Sequence, residues 1–96
     1  MTISVLIADD QPLMRAALRM YLEAESDVDV VGEAGDGERA VALAEQLRPD
    51  VVVMDYRMPG LNGVQATAAI VEACPGTAVI ALTASASRII RLRSST

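Results

Sequence analysis

An open, doubly wound α/β domain built on a parallel sheet is the fold class the sequence predicts, and three observations predict it. Four short apolar runs, Ile3 to Ala8, Val28 to Val31, Val51 to Met54 and Thr77 to Leu82, recur at nearly even intervals. Most of these runs are continuous rather than alternating, as expected of strands covered on both faces. Helical periodicity fills the stretches between them, so the order reads βαβαβαβ. Right-handed crossovers between parallel strands then put helices on both faces of one sheet. Composition agrees: 52% of the 96 residues are apolar and only Tyr21 and Tyr56 are aromatic, so Val, Ile, Leu, Ala and Met must build the core.

The elements follow in order. After the first strand, Pro12 sits where a first-turn proline is tolerated. Leu13, Ala17, Met20 and Tyr21 then form one stripe, and Arg15, Arg19 and Glu23 share another face. This is an amphipathic helix with the apolar stripe expected against the sheet. A second helix begins after Gly35-Asp36-Gly37, with Asp36 as its cap, carries Ala40, Leu43, Ala44 and Leu47 on one stripe, and ends at Pro49. A third follows Asn62-Gly63, carries Val64, Ala68 and Val71, and closes before Pro75-Gly76.

Charge and residue usage exclude several functions. The formal charge is −5, so a nucleic-acid backbone is repelled on average and no nucleic-acid binding is expected through this chain alone. The chain has no His, which removes imidazole metal sites, a His-dependent triad and a phosphohistidine donor. All eight basic residues are Arg, and three of them fall in residues 88–96, which hold no acid. A lone Cys74 fits a reducing compartment and reads as a small apolar residue. No apolar run is long enough to span a membrane and no basic leader precedes the first strand, so the expected location is the cytoplasm.

In doubly wound sheets, ligands bind at the carboxyl ends of the strands near the switch in strand order. Here the first strand ends in Asp9-Asp10, the third in Asp55 and the fourth in Thr83. Acids after a strand are ordinarily turn residues or helix caps. Three of them on two strands that the fold makes neighbours are better explained together. Carboxylates gathered this way repel one another unless a cation sits among them, and hard oxygen ligands with room for water and phosphate oxygens suit Mg²⁺. Gly35-Asp36-Gly37 matches neither a dinucleotide-binding nor a P-loop pattern and reads as a tight turn.

The segment from Asp55 through Met58-Pro59-Gly60 to Gly63 resembles the phosphoacceptor loop of response-regulator receiver domains, the CheY-like, flavodoxin-like fold. Val5-Leu6-Ile7-Ala8-Asp9-Asp10 and Ala81-Leu82-Thr83-Ala84 supply two further matches in the same order. Gln11-Pro12-Leu13-Met14-Arg15 and Val31-Gly32-Glu33-Ala34 are most similar to the NarL subgroup, whose full-length members usually carry a LuxR-type DNA-binding domain; Gln11 stands where many of them have His. The resemblance implies that Asp55 accepts a phosphoryl group from a sensor histidine kinase. It implies that Asp10 ligates Mg²⁺ directly, that Asp9 supports it through a ligand water, and that the Arg57 backbone carbonyl completes the protein's share. Thr83 becomes the switch residue, whose hydroxyl donates to the phosphoryl group. Phosphoryl transfer depends on alignment and charge neutralisation, which this donor set is suited to supply.

The resemblance covers residues 1 to about 87, the expected receiver unit, with residues 88–96 as a basic tail. The family continues through a helix, a strand ending in Lys and a last helix, and this chain has no Lys at all. Without that strand the fourth becomes an edge, so a dimer or swapped oligomer is expected. The tail has three readings: a short strand on that edge, since Ile90 and Leu92 alternate with Arg91 and Arg93, the start of a helix, or a frayed end. Beside the phosphoacceptor function stands a second, a dimerising or partner-binding module with impaired phosphorylation. Aspartate-nucleophile phosphohydrolases of the haloacid dehalogenase type place a second Asp two residues after the nucleophile, where this chain has Arg57. A turnover enzyme is therefore not expected.

Overall fold

The computed structural model describes residues 2–55 and 63–82 and the backbone of a strand at Ile89–Arg93. The order is β1(Ile3–Ala8), α1(Pro12–Glu23), β2(Val28–Ala34), α2(Gly37–Leu47), β3(Val51–Asp55), α3(Gly63–Ala73), β4(Ala78–Leu82) and β5(Ile89–Arg93). One sheet holds them in the order β2-β1-β3-β4-β5. The first four strands are parallel, and β1 lies between β2 and β3. Chain direction through the sheet reverses at β1, so the switch point falls between β1 and β3.

Alternation along the strands divides the core into two layers. Leu6, Ala8, Val52, Met54 and Val79 point to the side covered by α2 and α3, where they meet Ala40, Leu43, Ala44, Ala66 and Ile70. Val5, Ile7, Val30 and Val53 point to the other side, where Leu18 and Leu22 of α1 cover them. Leu6, Ile7, Met54 and Ile70 are fully buried, and burying each such side chain contributes roughly 1.5–3 kcal/mol.

Local chemistry starts and stops the helices. Asp36 caps α2 by accepting a hydrogen bond from the Arg39 N–H at 2.7 Å, and Arg48, in the left-handed conformation at φ 49°, ends it before Pro49. β2 runs three residues beyond the apolar run, to Ala34, because its polar Gly32-Glu33 segment still pairs with β1. The register slips by one there: Val5 faces Val30 and Leu6 faces Gly32, leaving Val31 as the extra residue of a bulge. A Cβ on Gly32 would lie 3.0 Å from the Leu47 side chain and 3.3 Å from that of Leu6, so glycine lets the end of α2 close over the sheet.

Two helix faces differ from the sequence expectation. On α1 the stripe of Leu13, Ala17, Met20 and Tyr21 is exposed, Leu13 at 83% and Tyr21 at 77%, and the sheet instead receives Arg15, Leu18, Arg19 and Leu22. The guanidinium groups find an acceptor in Glu33 near the end of β2 while Leu18 and Leu22 pack on the core between them, which makes the arginine-bearing face the inner one. On α3 the buried residues are Gly63, Ala66, Thr67 and Ile70; of the expected stripe, Val71 packs half-buried against the core, whereas Val64 and Ala68 are exposed. That helix is apolar almost all round, so packing against α2 and the sheet, not periodicity, selects its face.

β4 is not an open edge. β5 pairs with it antiparallel, Ala78 opposite Arg93 and Leu82 opposite Ile89, which is the strand reading of the tail. The backbone groups expected to be unpaired on β4 are thereby engaged, and the edge on this side of the sheet is the outer side of β5.

Candidate functional site

Asp9 and Asp10 follow the last residue of β1, and Asp55 is the last residue of β3. Ala8 lies opposite Met54 in the parallel pair, so the two adjacent strands end level and present their acids on one rim. Each of the three offers a carboxylate oxygen, and these oxygens lie within 4.8 Å of one another. Such separations fit oxygen ligands around one small divalent cation with bond lengths of about 2.1 Å. Asp9 is buried, Asp55 half-buried and Asp10 more open than Asp9.

Asp9 is held from several directions. Its N–H donates to the Ala34 carbonyl at 3.0 Å, crossing to the end of β2. Its Oδ1 accepts from the Gln11 N–H at 2.9 Å, closing an Asx turn just before α1. Its carbonyl accepts from Arg15 Nη1 at 2.6 Å. The residue is therefore both the turn-former that any acid after a strand tends to be and a member of a carboxylate cluster.

Burial pushes the Asp9 carboxyl above the ordinary carboxylate range, and the negative charges of Asp55 and Asp10 add to the rise. The Gln11 N–H and the Arg15 charge oppose it without cancelling it. Desolvated like charges are what a divalent cation relieves, so both the donor set and its electrostatics fit a hard cation.

Arg15 and Glu33 are the residues near this rim that composition and spacing do not reveal. Arg15 Nε donates to Glu33 Oε1 at 3.3 Å, and Arg19 donates to the other carboxylate oxygen of Glu33. These bonds, with that from Arg19 the larger influence, hold the Glu33 carboxyl below the ordinary Glu range. A spacing of four placed Arg15 and Arg19 together on one helix face, but nothing in it indicated that the face turns inward. Arg57 and Thr83, expected as a backbone ligand and a switch hydroxyl, lie outside the described residues.

The chain matches the family model of the response regulator receiver domain over residues 5–94. It is 47% identical over 81 residues to the uncharacterized transcriptional regulatory protein YxjL of Bacillus subtilis, an alignment that covers 84% of this chain and 37% of that protein. It is 42% identical over 83 residues to the response regulator protein VraR of Staphylococcus aureus, covering 86% of this chain and 40% of VraR. The chain thus spans well under half the length of either relative. Among solved structures, the signal receiver domain of the putative response regulator NarL from Mycobacterium tuberculosis superposes with a TM-score of 0.82 at 40% identity, over 86% of this chain and 67% of that one. The response regulator domain of Thermotoga maritima CheB does so with a TM-score of 0.82 at 41% identity, over 86% and 61%. Among the described residues no helix is long and apolar enough to cross a membrane.

Proposed function

The chain belongs to the response regulator receiver domain family, and on that premise we propose that it is a phosphoacceptor whose reactive group is the Asp55 carboxylate. The observation that carries this reading is the meeting of Asp9, Asp10 and Asp55 at the ends of two adjacent parallel strands. In this reading an Asp55 carboxylate oxygen attacks the phosphorus of a phosphohistidine on a sensor histidine kinase. A P–O bond forms, the P–N bond breaks, and the imidazole leaves with the bonding electron pair and is then protonated.

Asp9, Asp10 and Asp55, with the Arg57 backbone carbonyl, would hold Mg²⁺, which when bound neutralises charge on the transferring phosphoryl group. Asp10 would ligate the ion directly and Asp9, whose Oδ1 accepts from the Gln11 N–H, would support it through water. Thr83 is the switch residue that reports on the modified Asp55 by donating to its phosphoryl oxygens. The longer relatives include a transcriptional regulatory protein, so the phosphorylated state is read by an output of the DNA-binding kind. A second copy of the chain is a further partner, with the outer edge of β5 as a place for strands to pair.

Incubation with acetyl phosphate and Mg²⁺ tests the function directly by intact mass. The expected result is gain of one phosphoryl group, abolished by Asp55→Asn and by chelation of the metal. The alternative reading is a partner-binding receiver that is phosphorylated poorly. An unmodified mass after prolonged incubation would select that alternative.

A further inference from the structure

We propose that Arg15 is the positioning residue of the acidic site, fixing the turn that carries Asp9 and Asp10 by clamping it to Glu33 on β2; this rests on the reading of that site as a cation site. The guanidinium spans two elements. One arm donates to the Asp9 carbonyl at 2.6 Å and Nε donates to Glu33 Oε1 at 3.3 Å. Arg15 itself is anchored, because its N–H donates to the Gln11 carbonyl at 3.0 Å in the first turn of α1. Arg19, one helical turn on, holds the second oxygen of Glu33, so that carboxylate cannot swing away from Arg15. On the far side, Nη1 lies 3.4 Å from where a Cβ on residue 35 would be, an ordinary van der Waals contact, so the guanidinium packs beside Gly35.

The clamp acts on the backbone that sets the direction of two carboxylates. The Asp9 backbone is held on both sides of its Cα, its N–H by the Ala34 carbonyl and its carbonyl by Arg15. That carbonyl belongs to the peptide joining Asp9 to Asp10, so its orientation sets where the Asp10 side chain leaves the chain. A planar fork holding two acceptors in fixed geometry is a task for Arg and not for Lys. Partners outside the ligand shell that orient ligands typically change metal affinity by tenfold or more when removed.

The sign of the effect separates positioning from simple electrostatics. A positive charge beside three carboxylates repels a cation, so deleting it would tighten cation binding if charge alone mattered. Loss of the clamp predicts the opposite. The test titrates Mn²⁺, followed by electron paramagnetic resonance, into wild type, Arg15→Met, Arg15→Lys and Asp10→Asn at a temperature well below the melting transition of each.

Positioning predicts Mn²⁺ binding weaker by about tenfold in Arg15→Met. It predicts weaker binding in Arg15→Lys as well, though by less than in Arg15→Met, because Lys keeps the charge but cannot hold both acceptors. Tighter binding in Arg15→Met with no change in Arg15→Lys would assign Arg15 a purely electrostatic role and overturn the proposal, as would unchanged affinity in both. If Arg15→Met does not fold, Arg15→Lys alone decides: positioning requires weakening, charge alone requires none. Failure of wild type to bind Mn²⁺ any better than Asp10→Asn would instead remove the cation site itself, an outcome distinct from a wild type that binds and Arg15 variants that bind equally well.

Discussion

The Asp9 carboxylate accepts a hydrogen bond from the Gln11 N–H at 2.9 Å while another carboxylate oxygen of the cluster lies within 4.8 Å. One side chain thus closes the turn into α1 and bears the like-charge burden of the site.

That double role yields a stability prediction. Burial, Asp55 and Asp10 raise the Asp9 carboxyl in the folded state, so the folded protein holds its proton more tightly than the unfolded chain. Stability therefore falls as pH rises from the ordinary value of 3.8 through the raised folded value. Asp9→Asn keeps an acceptor for Gln11 and removes the charge. In metal-free buffer at pH 7 it is expected to melt higher than wild type by roughly 2–4 °C, the response of a domain this size to about 0.5 kcal/mol. The difference disappears below pH 3.8, and millimolar Mg²⁺ raises the wild-type midpoint by more than that of the variant. Thermal melts across pH with and without Mg²⁺ check each part.

Glu33 has the opposite sign. Arg19 and Arg15 depress its carboxyl, so its contribution is fully present above the ordinary Glu value of 4.5 and is lost as pH falls through the depressed folded value. Glu33→Gln is expected to lose about 0.5–1 kcal/mol at pH 7, limited by solvent screening of the half-exposed Arg19 arm. Urea unfolding at pH 7 and again well below pH 4.5 measures it, and equal losses at both would contradict the ion-pair account.

The two faces of α1 should respond unequally. Leu18→Ala and Leu22→Ala remove packing from Val5, Ile7, Val30 and Val53, and each is expected to cost about 1–2 kcal/mol. Leu13→Ser and Tyr21→Ser, on the exposed stripe, should stay within about 0.5 kcal/mol of wild type. Chemical denaturation of the four variants decides which stripe faces the sheet.

At the start of α2, Asp36→Ala removes the acceptor for the Arg39 N–H and should cost about 1 kcal/mol, whereas Asp36→Asn should cost only a few tenths. The pair of unfolding midpoints isolates the cap from any general effect of substitution at that turn.

Several features were determined by the sequence on its own. Four buried strands had to be short runs of Val, Ile, Leu and Ala, and Asp36, Pro49 and Pro12 marked helix ends because their backbone chemistry is local. The meeting of Asp9, Asp10 and Asp55 was legible too, since parallel strands joined by right-handed crossovers bring their carboxyl ends to one rim whatever the details of packing.

Only the tertiary structure decided which face of α1 turns inward. The chain offers two stripes there, and the choice depends on acceptors from elsewhere, the Glu33 carboxylate and the Asp9 carbonyl, which sequence periodicity does not contain. The same holds for α3, where an almost uniformly apolar surface gives periodicity nothing to discriminate, and for Ile89–Arg93, whose pairing with β4 satisfies an edge that exists only once the sheet is assembled. Local pattern specifies elements and their order; the matching of donors to acceptors across elements specifies orientation, and that matching is a property of the assembled fold.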